Sequence, residues 1–265
     1  MKDIIVVTGA SSGLGKEFVL QIDKREKVDE IWVIARRLDK LIELDSLTDA
    51  KIIPISLDLS SQDSYEIYKK KLLDEKPNVK ILVNCAGFGK FDHYENVETS
   101  VYLNMIDLNC KAMISVTNLS LPYMQNGAKI VNFASFSSFQ PVPYINVYGA
   151  TKAFTLSYSR ALNRELAYRG IKVLAVCPLW VKTEFFDRAI DQNKKPVVIS
   201  YNALYTPDKI IKKAIKDLYK NKDISIFGKM AKLQWIVTKI LPHKLVMNIW
   251  LKGQKLDGTK EIRKG

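Results

Sequence analysis

The chain has 265 residues, of which 47% are hydrophobic and 26% charged, an ordinary globular composition that argues against a disordered or fibrous protein. Its formal net charge of +13 favours anionic partners or ligands. Three well-separated cysteines and only two histidines argue against a disulfide framework, a metal site or a histidine-based triad. The first apolar run is too short for a signal peptide, so we expect a cytoplasmic protein.

The first predicted element is a buried parallel strand at residues 3–10, DIIVVTGA, which is rich in β-branched residues and ends in a glycine turn. The residues after the turn repeat apolar side chains at helical spacing. Strand, glycine turn and helix together form the setting in which main-chain N–H groups at a helix N-terminus bind a diphosphate. We therefore predict a dinucleotide site that includes Gly9, Ser11, Ser12, Gly13, Leu14 and Gly15.

The second predicted strand, EIWVIA, is followed closely by Arg36 and Arg37. Dinucleotide-binding folds that prefer NAD place a carboxylate here to bind the ribose 2′-hydroxyl group. Two guanidinium groups instead suit a 2′-phosphate, and the alternative is a pair of solvated arginines. The pair favours NADP(H) as the cofactor.

Two further apolar runs end in residues suited to a nucleotide. Asp58 would accept from the adenine amino group while Leu59 packs on the ring, or Asp58 would instead cap a helix that begins near Ser60. Residues after the fourth run would let a cofactor lie against the main chain: Asn84, Ala86 and Gly87.

Tyr148 and Lys152 are four residues apart in a predicted helix whose N-cap we assign to Asn146. This spacing places the two side chains on one helix face, about 5–6 Å apart. An adjacent ammonium group stabilises a phenolate, so we expect Lys152 to lower the pKa of Tyr148. Ser135 ends a predicted strand, where its hydroxyl would hold a substrate carbonyl. A tyrosine and a lysine at this spacing are also typical of a solvated helix face.

The motifs TGASSGLG, Asp58-Leu59, NCAG, Asn109, Ser135 and YGATK stand in the order and spacing of the short-chain dehydrogenase/reductase family. The chain resembles that family over roughly residues 3–185. The resemblance implies one doubly wound α/β domain with Rossmann-type strand order and about seven mostly parallel strands.

The resemblance also implies roles for individual residues. Ser135 would orient the carbonyl and Tyr148 would pass the proton, while Lys152 would bind the nicotinamide ribose. Asn109 would hold a water in the proton relay, or satisfy a local helix distortion, and these two interpretations are compatible. Cofactor contacts after the sixth strand would come from Pro178, Val181 and Thr183.

The segment after the sixth predicted strand departs from the family in one respect. Leu179 stands where the family usually has glycine, so the resemblance does not fix the geometry of this loop. Residues 184–206 are predicted to form an apolar lid over the nicotinamide, although aromatic residues here would equally suit core packing. The predicted lid aromatics are Phe185, Phe186, Tyr201 and Tyr205.

The C-terminal extension, residues 229–265, has nine Lys or Arg residues against two acids. Two aliphatic stripes predict a pair of amphipathic helices, each too short to cross a bilayer. We expect this extension to pack on the catalytic domain, residues 1–228, or on a second subunit. The alternatives are peripheral contact with an anionic membrane and a cover over the substrate opening. Nucleic acid is disfavoured because the lysines interleave with aliphatic rather than stacking aromatic side chains.

Together these features predict an NADPH-dependent carbonyl reductase or alcohol dehydrogenase. Its substrate would be a small, lipophilic ketone, aldehyde or alcohol, and the protein would be a homo-oligomer. The alternative is a non-catalytic NADP(H)-binding regulator or membrane-surface protein that keeps the fold. The complete Asn, Ser, Tyr and Lys set argues against that alternative, because a binding protein needs no proton relay.

Overall fold

The computed structural model describes residues 1–190 and 195–256 and is organised around parallel strands. Residues 191–194 of the predicted lid and 257–265 of the extension lie outside the described ranges. Within the described residues the strands are β1 (Asp3–Thr8), β2 (Glu30–Ala35), β3 (Lys51–Ser56), β4 (Asn78–Asn84), β5 (Lys129–Phe133), β6 (Lys172–Val176), β7 (Trp180–Val181), β8 (Leu204–Tyr205) and β9 (Ile224–Ser225).

Seven of these strands form one sheet in the order β3-β2-β1-β4-β5-β6-β9, and every pairing in it is parallel. The short strands β7 and β8 pair separately. The strand order reverses between β1 and β4, and a crevice opens beyond the carboxyl ends of the strands at such a point. The predicted doubly wound fold with Rossmann-type order is confirmed.

Helices cover both faces of the sheet. They are α1 (Gly13–Asp23), α2 (Leu38–Ile42), α3 (Asp63–Glu75), α4 (Thr99–Ile106), α5 (Ala112–Ser120), α6 (Asn146–Glu165), α7 (Phe185–Ala189), α8 (Pro207–Leu218), α9 (Lys229–Ile240) and α10 (His243–Gly253). Between α4 and α5, the segment Asp107–Lys111 forms a π-helical turn.

The sheet separates two hydrophobic cores. Ile5 and Val7 of β1 contribute to the core that includes α1 and α8, whereas Ile4 and Val6 contribute to the core that includes α3 and α5. Successive strand side chains point to opposite faces, so a strand covered on both sides must be apolar at every position. This requirement explains the uninterrupted apolar run of β1.

Helices α9 and α10 pack on this body through only part of their surface. Ala231 is fully buried and packs in a core cluster of the body, and Val246 is nearly buried. The aliphatic stripe of α9 is exposed instead, at 59% for Leu233, 48% for Ile236 and 73% for Ile240. This stripe is therefore not covered by the described part of the chain, while the packing of the extension on the same domain and the boundary at residue 228 stay predictions.

Candidate active site

A cleft of about 660 Å³ lies beyond the carboxyl ends of the central strands. It brings together most of the residues predicted from the sequence. Those lining it are Gly9, Ser11, Ser12, Gly13, Leu14, Gly15, Arg36, Arg37, Asp58, Leu59, Ala86, Gly87, Ser135, Tyr148, Lys152, Pro178, Val181 and Thr183. The exceptions are Asn84 and Asn109, which do not line this cleft.

The glycine turn has no room for side chains. Gly9 has a φ of 69°, and a Cβ atom there would stand 2.7 Å from the main-chain nitrogen of Ala86. A Cβ atom on Gly15 would collide with the carbonyl oxygen of Gly9. Ser12 precedes the first residue of α1 and makes no side-chain cap, so the main-chain N–H groups of the first turn do not donate to its hydroxyl oxygen. Such an uncapped, close-packed helix start suits an anionic diphosphate.

Two arginines follow β2 and line the cleft. Nη1 of Arg36 lies 3.8 Å from Oδ2 of Asp58. Nη2 of Arg37 lies 2.9 Å from Oε2 of Glu184 and donates to Oγ of Ser11 at 3.2 Å. Both ion pairs are solvent-exposed and therefore worth less than about 1 kcal/mol each.

Asp58 makes a local turn rather than a helix cap. Its Oδ1 accepts from the N–H of Ser60 at 3.0 Å and from the Ser60 hydroxyl at 2.7 Å. Burial acts to raise the pKa of Asp58, but the Ser60 hydrogen bonds and the charge of Arg36 lower it overall. Because α3 begins only at Asp63, with Gln62 at its N-cap, the alternative interpretation as a helix cap is wrong.

Arg188, on α7, adds a third guanidinium group to the cleft, and sequence reasoning missed it. Its guanidinium carbon lies 3.7 Å above the centre of the Phe88 ring. Burial lowers the pKa of Arg188, repulsion from Arg36 lowers it further, and Asp58 opposes both. The lid therefore brings a guanidinium group within electrostatic reach of Arg36 and Asp58. A lone arginine within the apolar segment FFDRAI was the available signal.

Ser135 is held in place by a turn that begins at its own position. Its Oγ accepts from the N–H of Ser137 at 3.2 Å, and its N–H donates to Oγ of Ser138 at 3.3 Å. The Ser138 hydroxyl in turn donates to the carbonyl of Lys152 at 2.7 Å. These bonds fix the end of β5 against α6, so Ser135 and Tyr148 line the cleft together.

The expected effect of Lys152 on Tyr148 is not what the structure shows. Burial raises the pKa of Tyr148 to about 12, and the hydrogen bond from Ser135 opposes that rise. The Nζ atom of Lys152 donates to the carbonyl of Phe133 at 2.7 Å and lies 5.7 Å from the centre of the Tyr148 ring. Burial lowers the pKa of Lys152. The predicted N-cap is also wrong, because α6 begins at Asn146 and Ile145 occupies the cap.

Asn84 and Asn109 lie behind the cleft. The Nδ2 atom of Asn84 donates to Oγ1 of Thr117 at 3.0 Å and to Oδ1 of Asn132 at 2.8 Å. The side chain of Asn84 therefore joins β4 to α5 and β5 and does not point into the cleft. Asn109 lies in the π-helical turn and bonds to the main chain of Phe88. A cofactor contact of Asn84 therefore stays a prediction, and the interpretation of Asn109 as part of a helix distortion agrees with its position.

Aromatic side chains form the wall next to Tyr148. The Phe185 and Phe91 rings lie 5.4 and 5.9 Å from the Tyr148 ring, measured between centroids. Phe186 also lines the cleft, together with Trp180, which the sequence reasoning missed along with Phe91. Of the other two predicted lid residues, Tyr201 packs on Trp180, with 5.0 Å between ring centroids.

Tyr205 does not belong to the predicted lid. Its ring lies 5.0 Å from that of Phe227, between centroids, and packs against the core that includes α1 and α8. Within residues 1–190 and 195–256, no group of three or more His, Cys, Asp or Glu side chains is placed to hold a metal ion. The cleft of the described chain thus offers hydroxyl, ammonium and guanidinium groups for chemistry and binding.

Comparison with known proteins agrees with this geometry. The family model described as short chain dehydrogenase matches residues 3–194. Very-long-chain 3-oxoacyl-CoA reductase-B of Danio rerio is 29% identical over 262 residues, covering 95% of this chain and 80% of that protein. Sulfoacetaldehyde reductase 2 of Chromohalobacter salexigens is 32% identical over 196 residues, covering 70% and 75%.

A solved structure of serine dehydrogenase in its closed form, complexed with NADP+, superposes with a TM-score of 0.74. It is 26% identical in sequence, and the match covers 84% of this chain and 94% of that one. The match of the family model extends over most of the chain and includes the glycine turn, Ser135, Tyr148 and Lys152. The chain therefore belongs to the short-chain dehydrogenase/reductase family of oxidoreductases.

Proposed function

We propose that the protein reduces a lipophilic ketone or aldehyde with NADPH, or oxidises the corresponding alcohol. One observation carries the proposal: Ser135 and Tyr148 line the same cleft as the glycine turn. An anion-binding main chain at one end and a pair of hydroxyl groups at the other suit a dinucleotide and a carbonyl group.

The residues that line the cleft fit NADP(H). The turn at Gly9, Gly13 and Gly15 would hold the diphosphate. Its main chain packs so closely that a side chain at Gly9 or Gly15 would collide with neighbouring main-chain atoms. Arg36, Arg37 and Arg188 line the cleft and suit a 2′-phosphate, since a guanidinium group offers a charged, forked set of donors. The NADP+ complex of the related serine dehydrogenase supports this choice. When bound, the nicotinamide supplies or accepts the hydride.

Tyr148 would hold the proton for reduction. Because burial raises its pKa to about 12, the phenol is protonated at neutral pH and can donate to the carbonyl oxygen. Ser135 accepts a hydrogen bond from Ser137, and its own O–H group would turn from Tyr148 to donate to the same oxygen. The two hydroxyl groups would stabilise the negative charge that develops there.

Lys152 would act through its charge after the proton has moved. An ammonium group near a phenolate lowers its energy, and the same group would bind the nicotinamide ribose hydroxyls. Asn109 would contribute to proton relay by holding a water, a role that stays a prediction. A purely regulatory protein would need none of these groups, so the non-catalytic alternative is not favoured.

The aromatic wall supports a substrate with a large apolar group. Phe91, Phe185, Phe186 and Trp180 line the cleft next to Tyr148, and this surface suits aliphatic or aromatic groups better than charged ones. The fish relative named for very-long-chain 3-oxoacyl-CoA supports a long-chain 3-oxoacyl compound. The relative named for sulfoacetaldehyde has a small, charged substrate in its name, so the test must include both classes.

The test is NADPH consumption by the purified full-length chain with a matched panel of carbonyl compounds. We expect a higher kcat/KM for long-chain 3-oxoacyl thioesters and bulky ketones than for small polar aldehydes. NADH should support slower turnover than NADPH at the same concentration. Binding of NADPH with no turnover of any carbonyl or alcohol would refute the proposed activity.

A further inference from the structure

Helix α9 directs its aliphatic side chains to solvent. Leu233, Ile236 and Ile240 form one stripe along the helix, and each is about half or more exposed. On the opposite side, Ala231 is fully buried and Thr238 is buried. The amphipathic helix of a globular protein normally turns its apolar side toward the core. The orientation of α9 therefore leaves an apolar surface that the described part of its own chain does not cover.

Helix α10 also exposes aliphatic side chains to solvent, although hydrogen bonds attach its inner side to the domain. Leu245 and Ile249 are 45% and 55% exposed. On its inner side, Nε1 of Trp250 donates to the carbonyl of Pro143 at 3.1 Å. The buried Gln254 accepts from two main-chain N–H groups of residues 199–200, each at 2.9 Å. These contacts are enough to hold α10 in its orientation. The exposed Leu245 and Ile249 are not needed to attach the helix to the domain.

The charge of this surface has one sign. Residues 229–256 contain six lysines and neither aspartate nor glutamate. Lys229, Lys232 and Lys239 of α9 are exposed beside the aliphatic stripe. Aliphatic side chains rimmed by ammonium groups complement a bilayer surface, where methylene groups enter the acyl boundary and lysines reach anionic headgroups.

We propose that α9 and α10 dock on the surface of an anionic lipid bilayer and lie in its interface. In the part of the chain that the structure describes, no helix is long and apolar enough to cross a membrane. A second copy of the chain fits this surface less well. A two-fold symmetric interface would set the surface against itself and bring lysines of both copies together.

The experiment is co-sedimentation of the full-length chain with vesicles of phosphatidylcholine, with and without phosphatidylglycerol. We expect binding to the vesicles that contain phosphatidylglycerol, and loss of that binding at high salt. The double variant Leu233→Glu/Ile240→Glu should bind at least about tenfold more weakly, because both side chains would have to enter the acyl boundary. The matched control is Leu73→Glu on α3, at a leucine that is 52% exposed.

The charge contribution is tested separately. Lys229→Gln/Lys232→Gln should weaken binding by about tenfold, since each lysine near an anionic surface contributes to the attraction. Its control is Lys69→Gln/Lys70→Gln, which removes two exposed lysines of α3. Circular dichroism and thermal melting confirm that each variant is folded before vesicle binding is compared.

Three outcomes would overturn the proposal. The first is absence of binding by the folded wild-type chain to vesicles that contain phosphatidylglycerol. The second is equal binding by Leu233→Glu/Ile240→Glu and by its Leu73→Glu control. The third is a dimer in sedimentation without lipid that Leu233→Glu/Ile240→Glu dissociates while no vesicle binding is seen, which would assign the stripe to self-association.

Discussion

The side-chain amide of Asn109 bonds to the main chain of Phe88 in both directions. Its Oδ1 accepts from the Phe88 N–H at 3.0 Å, and its Nδ2 donates to the Phe88 carbonyl at 2.9 Å. Nδ2 also donates to Oγ1 of Thr151 at 3.0 Å. One amide therefore joins the π-helical turn, the loop after β4 and the helix that contains Tyr148.

Asn109→Ala should lower the free energy of unfolding by about 2–4 kcal/mol, because the variant leaves buried polar groups of Phe88 without partners. Denaturant unfolding measures the change. Asn104→Ala is the matched control, since Asn104 lies on the preceding turns of α4 and makes no side-chain hydrogen bond with any described residue. If the free energy of unfolding falls no further in Asn109→Ala than in Asn104→Ala, the hydrogen bonds of the Asn109 amide do not stabilise the fold.

Lys152→Met should change how stability depends on pH. Burial lowers the pKa of Lys152 below its ordinary value of 10.5, so between the two values the unfolded chain binds more protons than the folded chain. Wild-type stability should therefore rise with pH through this window, and the methionine variant should lack that contribution. Denaturant melts from neutral pH up to about pH 10 measure the difference.

The control for this comparison is Lys70→Met, at a lysine whose side chain is 76% exposed. The difference between wild type and Lys152→Met should move in favour of wild type as the pH rises. A difference that stays constant across the pH range would contradict the assignment of Lys152 as a buried, destabilised cation.

Arg36→Ala should weaken NADPH binding far more than NADH binding. Only NADPH has the 2′-phosphate, and a charge-assisted hydrogen bond to it is worth roughly ten- to a hundredfold in affinity. Fluorescence titration with each nucleotide gives the two dissociation constants. Arg160→Ala is the control, because Arg160 pairs with Asp223 at 3.0 Å and does not line the cleft. Equal losses for the two nucleotides would refute the 2′-phosphate assignment.

Glu184→Gln should strengthen NADPH binding. Glu184 forms an ion pair with Arg37 at the cleft and places a negative charge where we propose that a phosphate binds. Removing that charge releases the guanidinium group, with an expected gain of about two- to fivefold for an exposed pair. The gain should shrink at high salt. Unchanged or weaker NADPH binding, measured by the same titration, would mean that Arg37 does not bind the phosphate.

The sequence was most informative where local and global requirements coincide. Strands buried on both faces must be apolar throughout, and ligand-binding residues follow their carboxyl ends, so the order of strands and the positions of Gly9, Ser135 and Tyr148 were predictable. The buried hydrogen-bond network of Asn84 was not foreseen, because a polar residue at a strand end suits a cleft and such a network equally well.

Other features depend on how elements pack, which periodicity does not specify. The stripe that includes Leu233 and Ile240 was recognised as one helix face, but spacing alone does not say whether that face meets the domain or solvent. Arg188 lies in a short lid helix without a repeating pattern, and only the fold brings it near Arg36. The pKa of Tyr148 follows from burial, which the spacing to Lys152 does not reveal.

The most direct test of the central claim is turnover by Tyr148→Phe, which removes a single hydroxyl group and keeps the ring among its aromatic neighbours. We predict that NADPH affinity stays nearly unchanged while kcat for carbonyl reduction falls by about 10²–10⁴-fold. Turnover comparable to that of the wild-type chain, with NADPH affinity intact, would contradict the assignment of Tyr148 as the proton donor.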